Sequence, residues 1–232
     1  MGGARKIYGT KTNDHTTFHT GTTEERVKAR VVILIMVCLF CSVVSADEAL
    51  YGPAPPPDAA FFRLLNLSDS EVALQVSEGM SIDVNALEIT EYGYLPASEI
   101  QLKVNEKSIA DGLQPGQQLT LVYFGNQGGS IVIEDTPFDN KRMALLRLYN
   151  VSHNDDLSMK TLNGKTTILD NIAFKSSKER VIKAVKLPVA LYRGETRVIE
   201  SEPLLLQKNR VTSVFAIQNE NGTSLLITES EQ

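Results

Sequence analysis

The chain has 232 residues, 42% of them apolar and 22% charged, with a formal net charge of −5. That balance suits one or two globular domains and excludes wholesale disorder. An acidic chain also lacks the basic face that nucleic acid requires, so no nucleic-acid partner is expected.

The first segment reads as an address. Val31–Val44 is apolar apart from Cys38, Cys41 and Ser42, and it follows Lys28 and Arg30. It is shorter than the roughly 20 residues that span a bilayer. With small Ala46 just beyond, the pattern predicts a signal peptide over residues 1–46 with a long polar n-region, cleaved between Ala46 and Asp47. An uncleaved anchor is the alternative. Residues 1–46 hold six Lys/Arg against three Asp/Glu, so the 17 basic and 25 acidic groups beyond them carry a net of −8. Cleavage also removes both cysteines and two of the three histidines, His15 and His19. The mature chain is therefore expected to have no disulfide, no metal site and no cofactor.

Residues 47–59 contain Leu50-Tyr-Gly-Pro-Ala-Pro-Pro-Pro57, whose prolines predict an extended arm. Strand patterns follow. Val72, Leu74 and Val76 alternate with polar or small residues, as do Ile100, Leu102 and Val104, which predicts strands with one buried and one wet face. Asp111-Gly112 and Pro115-Gly116 are turns before the apolar strand Leu119–Phe124, and Asn126-Gln-Gly-Gly129 leads into Ile131–Ile133. Thr136-Pro137-Phe138 breaks the pattern and reads as a linker. Asn163-Gly164 predicts a tight hairpin between Leu157–Thr161 and Thr166–Leu169. Val185, Leu187, Val189 and Leu191 alternate as a strand, with Pro188 requiring an edge or a bulge. Arg193-Gly194 and Asn221-Gly222 turn into two last strands, and Thr228–Gln232 is expected to fray.

An internal repeat organises these elements. Phe62-Arg-Leu-Leu-Asn-Leu-Ser68 matches Leu146-Arg-Leu-Tyr-Asn-Val-Ser152, pairing Arg63 with Arg147, Asn66 with Asn150 and Ser68 with Ser152. Leu119–Phe124 resembles Val211–Ala216, and Ser130–Ile133 resembles Ser224–Ile227. Duplication of a small domain accounts for the spacing. The expected fold is all-β, two tandem antiparallel β-sandwich domains at 60–135 and 143–232 joined by a linker at 136–142.

Reactive constellations are sparse. A serine-type hydrolase needs a nucleophile, a base and an orienting group. The only histidine beyond the leader is His153, in the loop Ser152-His-Asn-Asp-Asp156, and no Gly-x-Ser-x-Gly elbow is present. Asp155-Asp156 lacks the alternate oxygens of a calcium loop. Tyr92, Tyr94 and Tyr123 are the candidate contacts for a glycan or a protein partner, with sheet packing as their ordinary role. Asn66-Leu-Ser, Asn150-Val-Ser and Asn221-Gly-Thr have the form of N-glycosylation sites, but the matched placement of the first two favours a shared strand-end turn.

Leu50-Tyr-Gly-Pro53, Phe62–Asn66, Thr136-Pro-Phe-Asp-Asn-Lys141, Leu146–Asn150, Asn163-Gly-Lys165 and Leu187–Gly194 occur in an order that resembles the AlgF family of alginate biosynthesis proteins. The resemblance covers essentially all of the mature chain. It implies a periplasmic accessory protein without catalytic residues, required for O-acetylation of alginate on its mannuronate residues. Its implied partners are periplasmic SGNH-type alginate acetyltransferases and an inner-membrane O-acyltransferase, with alginate itself an additional candidate. An enzyme using His153 and a polysaccharide-binding module using Tyr92 and Tyr94 are the competing readings.

Overall fold

The computed structural model describes residues 54–153, 156–220 and 222–231. The expected signal peptide, its Ala46/Asp47 cleavage point, both cysteines, His15, His19 and the arm up to Pro53 lie outside the described residues, as does Asp155. The described residues from Pro55 onward form one compact unit.

The first half contains β1 (Ala59–Asn66), β2 (Val72–Ser77), β3 (Met80–Val84) and β4 (Gly93–Pro96). A 3-10 turn at Ala97–Glu99 leads to β5 (Gln101–Val104), β6 (Lys107–Asp111), β7 (Gln118–Tyr123) and β8 (Ser130–Asp135). The second half begins with β9 (Met143–Val151), β10 (Leu157–Thr161), β11 (Thr167–Ile172) and β12 (Ser176–Lys183). It continues with β13 (Lys186–Leu187), β14 (Val189–Arg193), β15 (Thr196–Glu200), β16 (Leu204–Leu205), β17 (Arg210–Asn219) and β18 (Gly222–Glu231). The described residues contain no α-helix, and none of their helices is long and apolar enough to cross a membrane.

Each half pairs an inner sheet with an outer one. The inner sheets run β4-β1-β7-β8 and β12-β9-β17-β18; the outer sheets run β3-β2-β5-β6 and β11-β10-β14-β15. The all-β, sandwich-like architecture expected from the alternation is present. Pairing is antiparallel except once in each half, where β1 lies parallel to β7 and β9 parallel to β17. A parallel pair needs a crossover rather than a tight turn, and the four strands of each outer sheet all lie within that crossover.

Alternation along each inner strand divides its side chains between two cores. Phe62, Leu64, Leu119 and Leu121 meet Leu74, Val76, Leu102 and Val104 of the first outer sheet. Leu146, Leu148, Val214 and Ala216 meet Met159, Leu169, Val189 and Leu191 of the second. The opposite faces pack on each other, with Leu65, Val122 and Ile133 against Tyr149, Val151, Phe215 and Ile217. Four sheets are thus stacked, and the central strands of the middle two, β1, β7, β9 and β17, are buried on both faces. Full burial of a side chain such as Phe215 contributes about 1.5–3 kcal/mol. Phe138, on the connecting segment, is itself buried against Leu145 and Val211.

Several local details refine the sequence reading. The Asn163-Gly164 turn lies between β10 and β11, with Gly164 at φ +71°, a conformation suited to glycine. Pro188 interrupts the predicted strand: β13 pairs with β16 in a small ribbon, while β14 joins the outer sheet. Val185, the first residue of the expected strand, precedes β13 and is 45% exposed. The C-terminal residues expected to fray extend β18, which pairs with β17 as far as Arg210↔Glu231. The repeat is also offset by one residue in its second block. Arg63 lies beside Thr120 and Arg147 beside Ser213, so Leu119 corresponds to Thr212 rather than Val211.

Candidate functional site

Between the inner sheets lies a network of buried charge. The alternation that turns Phe62 and Leu64 outward turns Arg63 and Leu65 into this seam, and the same holds for Leu146, Arg147 and Leu148. Arg63 and Arg147 are 2% and 1% exposed. A buried guanidinium is tolerated only when paired and hydrogen-bonded. Arg63 Nε donates to Thr120 Oγ1 (2.9 Å), and its Nη2 donates to the Tyr149 hydroxyl (2.8 Å) and Ser213 Oγ (3.1 Å). The guanidinium also lies 4.4 Å over the Tyr92 ring.

Asp135, the last residue of β8, is the shared acceptor. Its Oδ1 accepts from the Tyr149 hydroxyl (2.6 Å), and its Oδ2 accepts from the Tyr92 hydroxyl (2.5 Å) and from Thr120 Oγ1. The carboxylate stands 3.4 Å from Arg147 and 4.0 Å from Arg63. Arg147 in turn donates through Nε to Glu179 (2.7 Å) and through Nη2 to the Thr136 carbonyl (2.7 Å). Two guanidiniums therefore face two carboxylates. The Tyr149 ring stacks on Phe215 with centroids 4.2 Å apart, closing the apolar side.

The electrostatics favour bracing over proton transfer. Burial, followed by the influence of Tyr149, pushes the Tyr92 phenol well above its ordinary value, and the carboxylate of Asp135 adds to this. Burial likewise raises Tyr149, where Asp135 opposes the lowering effect of Arg63 and Arg147. Both phenols stay protonated and donate to Asp135 at neutral pH. A cleft of about 360 Å³ reaches the margin of the network at Arg63 and Tyr92, with Glu91, Arg210 and Glu229 around it.

The three candidate tyrosines do not share a surface. Tyr92 turns into the seam. Tyr94, half-buried on β4, packs against Phe61 with centroids 6.0 Å apart. Tyr123 is buried on the opposite face of the inner sheet. Its hydroxyl donates to Asn126 Oδ1 (2.8 Å) and accepts from Asn105 Nδ2 (2.9 Å), beside a separate groove of about 380 Å³.

His153 is exposed, with a left-handed backbone at φ +57°. Its ring lies 4.7 Å from that of Phe174 and 6.3 Å from that of Phe124. Lys175 Nζ stands 5.3 Å and 5.5 Å from the same two phenylalanine rings.

The matched asparagines are turn-formers. Asn66, fully buried, donates through Nδ2 to the carbonyls of Ser70, Val84 and Asn85 and accepts from Ser68 N and Oγ. Asn150, also fully buried, donates to the Ile172 carbonyl and accepts from Ser152 N and Oγ. These side chains are enclosed by the fold and closed to glycosylation in it.

The sequence reading matched Arg63 with Arg147 but did not assign either to a charge network, and it missed Asp135, Tyr149, Thr120 and Ser213. The usable signal was an arginine inside an apolar run, present in both repeats, which demands a buried anion. No comparable signal marked Phe124, Phe174 and Lys175, because their proximity depends on how two loops meet.

A profile of the family described as "Alginate O-acetyl transferase AlgF" matches residues 33–213. The alginate biosynthesis protein AlgF of Pseudomonas putida is 33% identical over 179 residues, covering 77% of this chain and 82% of that one. The protein of the same name from Pseudomonas aeruginosa is 31% identical over 195 residues, covering 83% and 89% respectively. Among solved structures, the C-terminal domain of AlgF from Pseudomonas aeruginosa is 27% identical and covers 39% of this chain and 100% of that one, with a TM-score of 0.36. This chain belongs to the AlgF family of alginate biosynthesis proteins.

Proposed function

We propose that this chain is a non-catalytic adaptor in the O-acetylation of alginate. It works in the periplasm after removal of residues 1–46. Its partners are periplasmic SGNH-type acetyltransferases, which place acetyl groups on mannuronate, and the inner-membrane O-acyltransferase that supplies them. Residues 60–135 and 143–232 form two sandwich domains joined through 136–142. The name carried by the family supports the pathway.

One observation carries the adaptor reading. The ionisable side chains that an enzyme would deploy converge between two sheets, where Asp135 is saturated by donors and enclosed. A carboxylate so held braces the molecule and does not relay protons to a substrate. His153, the base an esterase would use, sits against Phe174 and Phe124.

Two assays on the mature protein test this reading. Pull-down against the purified acetyltransferases of the same host should recover a complex, and incubation with an acetyl ester should show no turnover above buffer. Turnover that is lost in His153→Ala would replace the adaptor by an enzyme. Calorimetric binding of mannuronate oligomers that is weakened by Tyr94→Ala would replace it by a polysaccharide-binding module.

A further inference from the structure

We infer that the outer edge of β12, together with the aromatic cluster at its start, is the docking surface for an extended acidic segment of a protein partner. The inference rests on the adaptor reading and gives it a location.

Charge is the first observation. Between residues 174 and 186 the chain places Lys175, Lys178, Arg180, Lys183 and Lys186 against the single acid Glu179, in a protein of net charge −5. Glu179 is half-buried and paired with buried Arg147. All five basic residues are exposed. Lys178 reaches Asp170 at 3.9 Å, and Arg180 donates to the Ile168 carbonyl (3.1 Å). Lys183 and Lys186 lie further along the same run.

Edge geometry is the second. β12 ends its sheet and has a strand neighbour on one side only, β9. Such an edge presents backbone groups to an incoming strand. Lysines on an edge commonly serve to repel other edges, but a purely protective strand has no use for apolar exposure. Here Val181 on β12 is 48% exposed, and Val185, just past its end, is 45% exposed, both among the lysines. A strand edge that carries both cationic and exposed apolar side chains suits a peptide with both acidic and apolar ones.

An anchor at the start of the strand is the third. Phe124 from the first half meets His153 and Phe174 from the second, with Lys175 over both phenylalanine rings. His153 and Lys175 both adopt left-handed backbone, at φ +57° and +63°, a conformation uncommon for such side chains. Aromatic groups beside a cation make an effective binding anchor for an apolar side chain flanked by a carboxylate. The partner segment would seat one apolar residue on this cluster and run its acids along β12.

The full chain, expressed and exported in its host and purified from the periplasm, is tested as wild type, Lys183→Glu/Lys186→Glu and Phe174→Ala. The probes are the purified periplasmic acetyltransferase of that host and, separately, polymannuronate. The charge reversal should weaken acetyltransferase binding at least tenfold, and Phe174→Ala should weaken it several-fold. Wild-type affinity should fall as salt rises, and backbone amides of residues 177–183 should exchange more slowly in the complex. Thermal unfolding midpoints near wild type identify variants that have folded, and the amide-exchange measurement needs no variant. Unchanged affinity in folded variants, or unprotected β12 amides in the complex, overturns this surface and leaves the adaptor reading standing. Failure of the wild type to bind the acetyltransferase overturns the adaptor reading itself. Binding of polymannuronate that the charge reversal abolishes overturns the assignment to a protein partner.

Discussion

Arg63 and Arg147 occupy matched positions of the internal repeat and reach the same carboxylate, that of Asp135, from opposite sheets at 4.0 and 3.4 Å. Duplication supplied two arginines, and the stacking of the halves brought both to one acid. Their environments then diverged. Arg147 has Glu179 as a second anion, whereas Arg63 leans on Tyr92, Thr120 and Ser213.

Removing the shared acid should therefore be costly. Asp135→Asn keeps the size and one acceptor oxygen but leaves two buried guanidiniums facing Glu179 alone. Breaking a buried ion pair in this way typically costs about 3–5 kcal/mol. Urea denaturation should show a lower midpoint, and a loss below about 1 kcal/mol would mean that the seam admits water.

The two raised phenols set an alkaline limit on stability. A phenol whose value is higher in the folded state than in the unfolded chain stabilises the fold fully below the unfolded value near pH 10. Above that pH the unfolded chain releases the proton while the folded one retains it. Stability should therefore fall by about 1.4 kcal/mol per pH unit for each phenol. Tyr92→Phe and Tyr149→Phe should each flatten the slope between pH 10 and 12. A slope unaffected by either change would place both rings in solvent-like surroundings.

Asn66→Asp tests the strand-end turn. The change replaces a donor that serves three carbonyls by an oxygen that repels them. Leaving buried groups unsatisfied costs about 1–3 kcal/mol each, so a loss at the upper end of that range is expected in thermal or urea unfolding. Asn150→Asp should act in the same direction at the matched turn. A neutral result at both sites would refute a structural role for the repeated motif.

Gly128 supports the loop that carries Phe124. A Cβ there would lie 2.5 Å from Phe124 Cβ and 2.8 Å from its carbonyl oxygen. Part of the clash is with backbone, so rotamer changes alone do not relieve it. Gly128→Ala should shift the Phe124 ring signals in NMR and lower stability by about 1–3 kcal/mol, the range for overpacking. Unperturbed ring shifts for Phe124, His153 and Phe174 would show that the loop accommodates the methyl group elsewhere.

Local pattern alone disclosed the strand character of the chain, its turns and its duplication. Val72–Val76 and Ile100–Val104 alternate because one face is dry and the other wet, and Asn163-Gly164 marks its hairpin through backbone preference. The same local rules marked Leu119–Phe124 as an apolar strand but gave no account of why β1, β7, β9 and β17 are buried on both faces. Their inward Arg63, Arg147 and Tyr149 were matched across the repeat or left without a role. Pro188 was legible as a break, but its consequence, the transfer of chain from a ribbon to the outer sheet, was not.

What the amino-acid sequence determined by itself was the strand-and-turn character of the chain, the twofold internal similarity and membership of the AlgF family, since each depends on the order of residue types along the chain. Tertiary structure alone decided that the inner sheets pack face to face, that Asp135 joins Arg63 to Arg147, and that Phe124 meets Phe174. Those contacts link residues far apart along the chain, up to 150 positions for the hydrogen bond from Arg63 to Ser213. Charge pairing and ring packing act through space over a few ångströms, so they follow from the stacking of the sheets and leave no period in the sequence.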